Sequence, residues 1–198
     1  MPLATIEHMS RPPAAREAVL DAFERILVHD GERAATLDAT AKAAGVSKGG
    51  LLYHFASKEA LVAGLIARLE ALTDDDIEAI DRAGDGAISY FVRSSVAVQH
   101  PLDRAVVATA RLAQGGNAAA EEAIRTVRRR WLEAVGKHVT DPTVALAITL
   151  IGDGLYYASV LHGEDEQFGV DAPTTGQMDA LVVLLERLAV ERPPAPTR

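Results

Sequence analysis

The chain has 198 residues, 48% of them hydrophobic, enough for one large helical domain or two small ones with a real core. It contains no cysteine, which removes disulfides, thiolate metal sites and cysteine nucleophiles, and suits a reducing cytoplasm. The net charge of −8 at first sight disfavours nucleic acid, but the acid is uneven: residues 1–72 hold 8 Lys and Arg against 9 Asp and Glu, residues 73–198 hold 12 against 19.

Alanine is abundant and aromatic residues make up only 5%, which favours packed helices over sheets. No run of 18 apolar residues occurs, and the N-terminus lacks a charged-then-apolar leader. The expectation is a cytoplasmic protein with no membrane partner.

In chain order, residues 1–11 read as a loose arm. Pro12 and Pro13 suit a helix entry, since proline is tolerated in a first turn. A helix follows to about Asp30, with Val19, Phe23, Ile26 and Leu27 on its inner face, and Gly31 ends it. Thr36 is a good N-cap for a second, short helix whose small apolar face is Leu37, Ala41 and Ala44. Gly45 stops that helix, Val46 plugs the turn, and Ser47 caps a third helix from Lys48 to His54. Ser57, with Glu59 in the first turn, starts a fourth. Two helices joined by a short glycine-containing turn form a helix-turn-helix.

This segment carries a local basic strip. From Ala39 to Lys58 there are three lysines (Lys42, Lys48, Lys58), one histidine (His54) and no acid. Gly49 and Gly50 stand near the start of the third helix, where each costs about 1 kcal/mol against alanine. That cost makes sense for a helix that must approach a base edge or phosphate closely; a solvated helical hairpin is the plainer alternative.

The run AGVSKGGLLYHFASKEAL resembles the DNA-binding domain of the TetR family of transcriptional regulators. The matching residues are Thr36, Ala44 to Ser47, Gly49, Tyr53 to Phe55 and Ser57 to Leu61, and the resemblance covers about 16–72. Thr40 departs from it, standing where the family usually has an aliphatic residue. The resemblance implies DNA contacts by Thr36, Ser47, Lys48, Gly49, Tyr53, His54 and Lys58. Lys48 and Gly49 would lead the recognition helix into the major groove, and Tyr53, His54, Lys58 and Thr36 would hold phosphates.

The fourth helix runs past Leu61, Leu65, Leu69 and Leu72 and ends before Asp74 or continues beyond Asp76. Gly84 and Gly86 punctuate. Further helices are expected over about 87–98, 102–114, 117–139, 142–161 and 174–191, and the last residues, ERPPAPTR, read as a frayed tail. The total is about nine helices and no strand. The fold class is all-α, divided into a helix-turn-helix domain at 12–56 and a larger ligand-binding and dimerisation domain at 57–198.

In TetR-like proteins the C-terminal helices dimerise and hold a small-molecule pocket, and the resemblance implies both here. The last helix has a stripe of Met178, Leu181, Val182, Leu185 and Leu188, with Val183, Leu184 and Val190 elsewhere around it; the 142–161 helix is apolar nearly all round. Helices apolar on more than one face must bury more than one face, and a second subunit is one way to do so.

Candidate pocket residues are Tyr90, Arg93, Arg111, Trp131, Asp153 and Tyr157. Asp153 sits deep in an apolar helix and needs a partner, for which Arg93 or Arg111 is available. Plain core packing or a structural ion pair is the competing explanation at each position. Arg128 to Arg130 read as a solvated charge run, and His100, His138 and His162 as surface or cap residues rather than metal ligands. No cofactor or metal is implied.

The reading is a homodimeric transcriptional repressor released from a palindromic operator by a small-molecule effector. A DNA-binding dimer without an effector and an activator stay open. An enzyme or carrier finds no glycine-rich nucleotide loop, nucleophile elbow or HExxH to support it.

Overall fold

A computed structural model describes residues 12–96, 100–161 and 173–190. The expected N-terminal arm, residues 97–98, His162 and the C-terminal tail lie outside these residues, and the helix expected over 87–98 ends at Ser94, with a turn at 95–96. The described residues form nine α-helices and no strand. They are α1 (Pro12–His29), α2 (Leu37–Ala43), α3 (Lys48–His54), α4 (Lys58–Ala83), α5 (Ala87–Ser94), α6 (Pro101–Gln114), α7 (Ala118–Gly136), α8 (Pro142–Leu161) and α9 (Thr175–Val190). A short 3-10 turn, Gly84–Gly86, separates α4 from α5.

The helix ends are set by local chemistry. The backbone N–H groups of Asp30 and Gly31 both reach the Ile26 carbonyl, with Gly31 in the left-handed region at φ 80°. After α2, Gly45 takes φ 69° and the Val46 N–H closes back on the Ala41 carbonyl at 3.0 Å. The fourth helix does not stop at Asp74. It runs 26 residues, because nothing in its sequence breaks the helix before Gly84.

Two compact units are distinguished. The first comprises residues up to Leu69 together with Arg104–Ala123, the second Glu70–Asp103 together with the residues from Ile124 on.

In the first unit α1 packs on α2 and α3. Val19, Leu20, Phe23, Leu27, Leu51, Leu61, Leu65 and Leu69 are fully buried there. Arg68 of α4 fastens this unit with charge. Its guanidinium donates to Glu17 at 2.5 Å, Asp21 at 2.7 Å and Glu24 at 2.9 Å, all on α1. Glu24 is almost wholly buried, and burial pushes its carboxyl up from the ordinary range despite Arg68.

In the second unit α5 packs on α8 and α9. Its core is Ile80, Ile88, Phe91, Val92, Ala134, Val135, Ile148, Met178, Val182 and Leu185. Gly152 of α8 is needed for this packing: a Cβ there would meet Cε1 of Phe91 at 2.6 Å.

Candidate nucleic-acid interface and effector region

The helix-turn-helix is assembled by its caps. The Thr36 hydroxyl accepts the Ala39 N–H at 3.2 Å and starts α2; the Ser47 hydroxyl accepts the Gly50 N–H at 3.0 Å and starts α3. Ser57 does the same for α4, accepting the Ala60 N–H at 3.2 Å. Leu51 and Phe55 anchor α3 in the core. The rest of the helix therefore faces away from it: Lys48, Gly49, Leu52 and Tyr53 are exposed, Tyr53 by 82%.

Gly49 has no intramolecular reason to be glycine. A Cβ built there meets nothing nearer than Ser47 Oγ at 4.0 Å, and its φ is not in the left-handed region. Tyr53 and His54 stand edge to face with ring centres 5.1 Å apart. Lys48 pairs with Asp38 of α2 at 2.9 Å, an exposed pair that water and salt weaken.

Lys58 is placed differently from the other candidates. It is half-buried, and its Nζ donates to the Glu32 carbonyl at 3.3 Å and to Glu32 Oε1 at 3.4 Å. Arg16, at the start of α1, lies over the Phe55 ring at 5.1 Å. The seven candidate DNA-contact residues thus divide. Ser47, Lys48, Gly49, Tyr53 and His54 belong to α3 and its cap; Thr36 caps α2, and Lys58 is tied to the 31–36 segment by Glu32. Leu52, exposed beside Tyr53, is not among these candidates, although its neighbour Leu51 is buried.

The six candidate effector residues do not form one cluster. Tyr90 and Trp131 are brought together by Asp76, which accepts from the Tyr90 hydroxyl at 3.1 Å and from Trp131 Nε1 at 2.9 Å. Burial pushes the Asp76 carboxyl up from the ordinary aspartate range, against the pull of these two donors. Asp153 pairs with neither Arg93 nor Arg111 but with Arg128, one turn below Trp131 on α7. Arg93 reaches Asp179 at 2.6 Å, Arg111 is an exposed residue of the first unit, and Tyr157 is exposed on α8.

Of the arginine run, Arg128 and Arg130 are ion-paired to Asp153 and Asp74 rather than simply solvated. Nothing in the acidic run 74–76 singles out Asp76 in the sequence. Its donors come from positions 14 and 55 residues away.

A separate open cleft of about 540 Å³ lies in the second unit. Its walls include Gly84, Ile88, Lys137, His138, Val139 and Val190, and neither Trp131 nor Asp153 lines it. Lys137 is held by Asp81 at 2.8 Å, and that contact keeps the Asp81 carboxyl below its ordinary range.

A capped helix pair with a short glycine turn, presenting a basic and aromatic helix outward, defines a helix-turn-helix transcriptional regulator. Residues 19–65 match the family of bacterial regulatory proteins of the tetR type, and residues 85–189 match the tetracyclin repressor-like C-terminal domain. The chain belongs to the TetR family; it is a DNA-binding regulator and not an enzyme.

Solved structures share the fold. NalD of Pseudomonas aeruginosa, the secondary repressor of the MexAB-OprM multidrug efflux pump, is 17% identical with a TM-score of 0.65, over 90% of this chain and 97% of that one. The multidrug binding protein EbrR, complexed with malachite green, is 18% identical with a TM-score of 0.62, over 88% and 97%. SCO7518 from Streptomyces coelicolor A3(2) is 21% identical with a TM-score of 0.61, over 90% and 100%. No curated protein matches the chain. No helix among the described residues is long and apolar enough to cross a membrane.

Proposed function

We propose that the chain is a cytoplasmic, homodimeric repressor that leaves a palindromic operator when a small molecule binds its C-terminal domain. The observation that carries this reading is the outward face of α3, where Gly49 has no packing role and Tyr53 stands in solvent. Residues 12–56 are the DNA-binding domain and 57–198 the effector and dimerisation domain. Lys48 and Gly49 lead α3 into the major groove; Ser47, Thr36, Tyr53, His54 and Lys58 fix register on the phosphates. For Lys58 this requires exchange of its Glu32 partner for a phosphate.

The effector half is supported by Asp76, Tyr90 and Trp131, a polar trio set among apolar side chains, as small-molecule sites commonly are. It is also supported by the ligand-bound EbrR, which has this fold. Arg93, Arg111, Asp153 and Tyr157 are the outer candidates. An effector can release DNA only by binding more tightly to a conformation that fits the operator poorly.

Selection of bound duplexes from a random library tests the proposal. The expected product is an inverted repeat with half-sites one helical turn apart, about 34–36 Å. Placed ahead of a reporter, that repeat should lower expression when the protein is present. An enriched site without internal symmetry, or a reporter that rises with the protein, would contradict the dimeric repressor.

A further inference from the structure

The outward face of α3 contains one apolar side chain. Leu51 and Phe55 are buried, whereas Leu52 is 38% exposed and stands between two residues of different character. Lys48, one turn earlier, is charged; Tyr53, the next residue, is aromatic with a polar tip. A single exposed leucine on a protein surface is ordinary. This one lies on the helix that fronts the groove, one turn from Gly49, where the absence of a Cβ opens the helix surface and serves nothing inside the fold.

The one methyl group in the major groove is the 5-methyl of thymine; cytosine offers only a bare C5–H at that place, and the remaining features of the base edges are hydrogen-bond donors and acceptors. Leu52 can neither donate nor accept, so it gains against thymine and loses against any edge whose donors and acceptors it would strip of water. The geometry points to Leu52 as a specificity-determining residue that selects thymine, its methyl groups set against the thymine 5-methyl on the same outward side of α3 that Gly49 leaves open. The inference rests on α3 being the helix that enters the groove. Lys42 on α2 adds to the local positive charge, which attracts phosphate without sequence information.

The test uses the full chain and a duplex enriched from a random library by the unaltered protein. The duplex is remade with deoxyuridine for every thymidine, which deletes only the 5-methyl groups. The unaltered protein should lose about fourfold in affinity per contacted methyl, and about fifteenfold when both half-sites are engaged. Leu52→Ala should bind the thymine duplex more weakly and lose little further on the deoxyuridine duplex. Leu52→Met, which keeps an apolar tip, should retain most of the discrimination and serves where the alanine variant binds too weakly to measure.

Equal binding of both duplexes by the unaltered protein overturns the assignment, as does a Leu52→Ala protein that discriminates as fully as the unaltered one. Tyr53→Ala separates the two readings. If it leaves operator binding intact, α3 is not in the groove at all; if it weakens binding while deoxyuridine has no effect, only the thymine contact fails.

Discussion

Thr40 sits in α2 with no solvent exposure, and its Oγ1 is buried without a hydrogen-bond partner. A buried hydroxyl left unpaired costs about 1–3 kcal/mol, while the methyl of valine in the same shape would cost nothing in desolvation. Thr40→Val should therefore stabilise the protein by about 1 kcal/mol, read as a raised midpoint in urea at unchanged slope. A lower midpoint would mean that the hydroxyl has a partner after all. Thr40 is also the position that departs from the family pattern, so the mismatch visible in the sequence corresponds to an unpaired buried hydroxyl in the fold.

Gly49 makes the opposite case. Nothing inside the molecule requires glycine there, so alanine should strengthen α3 by up to about 1 kcal/mol. If the bare Cα lets the helix approach a base edge, Gly49→Ala should at the same time weaken operator binding by roughly tenfold or more, the scale of one lost base contact. A more stable protein with undiminished operator affinity would show that the glycine is not a contact residue. The two measurements move in opposite directions only for a functional glycine, which is why they belong together.

At the scale of elements, helix ends were readable from sequence and helix partners were not. The caps Thr36, Ser47 and Ser57 and the stops at Gly31 and Gly45 depend on residues within five positions, and each lies where local chemistry predicted. The ties that fix which helices pack together depend on long separations. Arg68 gathers three carboxylates from 44 to 51 residues away, and Asp76 joins α4 to α5 and α7. The choice of Arg93 or Arg111 as the partner of Asp153 failed for the same reason: helical phase does not say which of several arginines will face a given acid. Arg128 does, although its place in a run of three arginines suggests a solvated face.

The Asp76 tie has a pH signature. Its folded carboxyl is held above the ordinary aspartate range, chiefly by burial, with His100 nearby and Tyr90 and Trp131 as donors. Because the folded state holds this proton more tightly than the unfolded chain, the contribution to stability is present below the unfolded value and lost as pH rises through the folded one. Asp76→Asn removes the titration. The melting temperature of the variant relative to the parent should therefore rise between pH 4 and pH 7, and a constant difference would count against a raised carboxyl at Asp76.

The packing of α5 on α8 gives a second element-scale prediction. A methyl at Gly152 would lie 2.6 Å from Phe91 Cε1 and 3.1 Å from Ser95 Oγ, and Phe91 is buried with little room to yield. Gly152→Ala should destabilise by about 1–3 kcal/mol, a fall of roughly 2–10 °C in melting temperature for a chain of this length. Gly136→Ala, where the added methyl meets open space, should not lower the melting temperature.

For the whole molecule, the question is what covers the apolar surface that a single chain leaves bare. The stripe expected on α9 is inside: Met178, Val182 and Leu185 are buried, and Leu181 and Leu188 pack against them. The residues outside the stripe remain in solvent, with Val183 65% and Val190 78% exposed; on α8, Leu150 is 54% and Tyr157 66% exposed. The apolar surplus in these two helices was legible in the sequence, but which residues would be left outside depended on how the helices turn in the fold. Exposed apolar residues on two helices of one unit are what a second subunit would bury. The double change Leu150→Glu with Val183→Glu places four like charges in a symmetric contact and touches no buried side chain of the chain itself. The variant should keep its helix content and sediment as a monomer. Its operator affinity should fall by about a hundredfold or more, since each half-site would then be bound without the advantage of linkage. A variant that remains dimeric places the subunit contact elsewhere. One that becomes monomeric yet binds the full operator as before would show that two copies are not needed to read it.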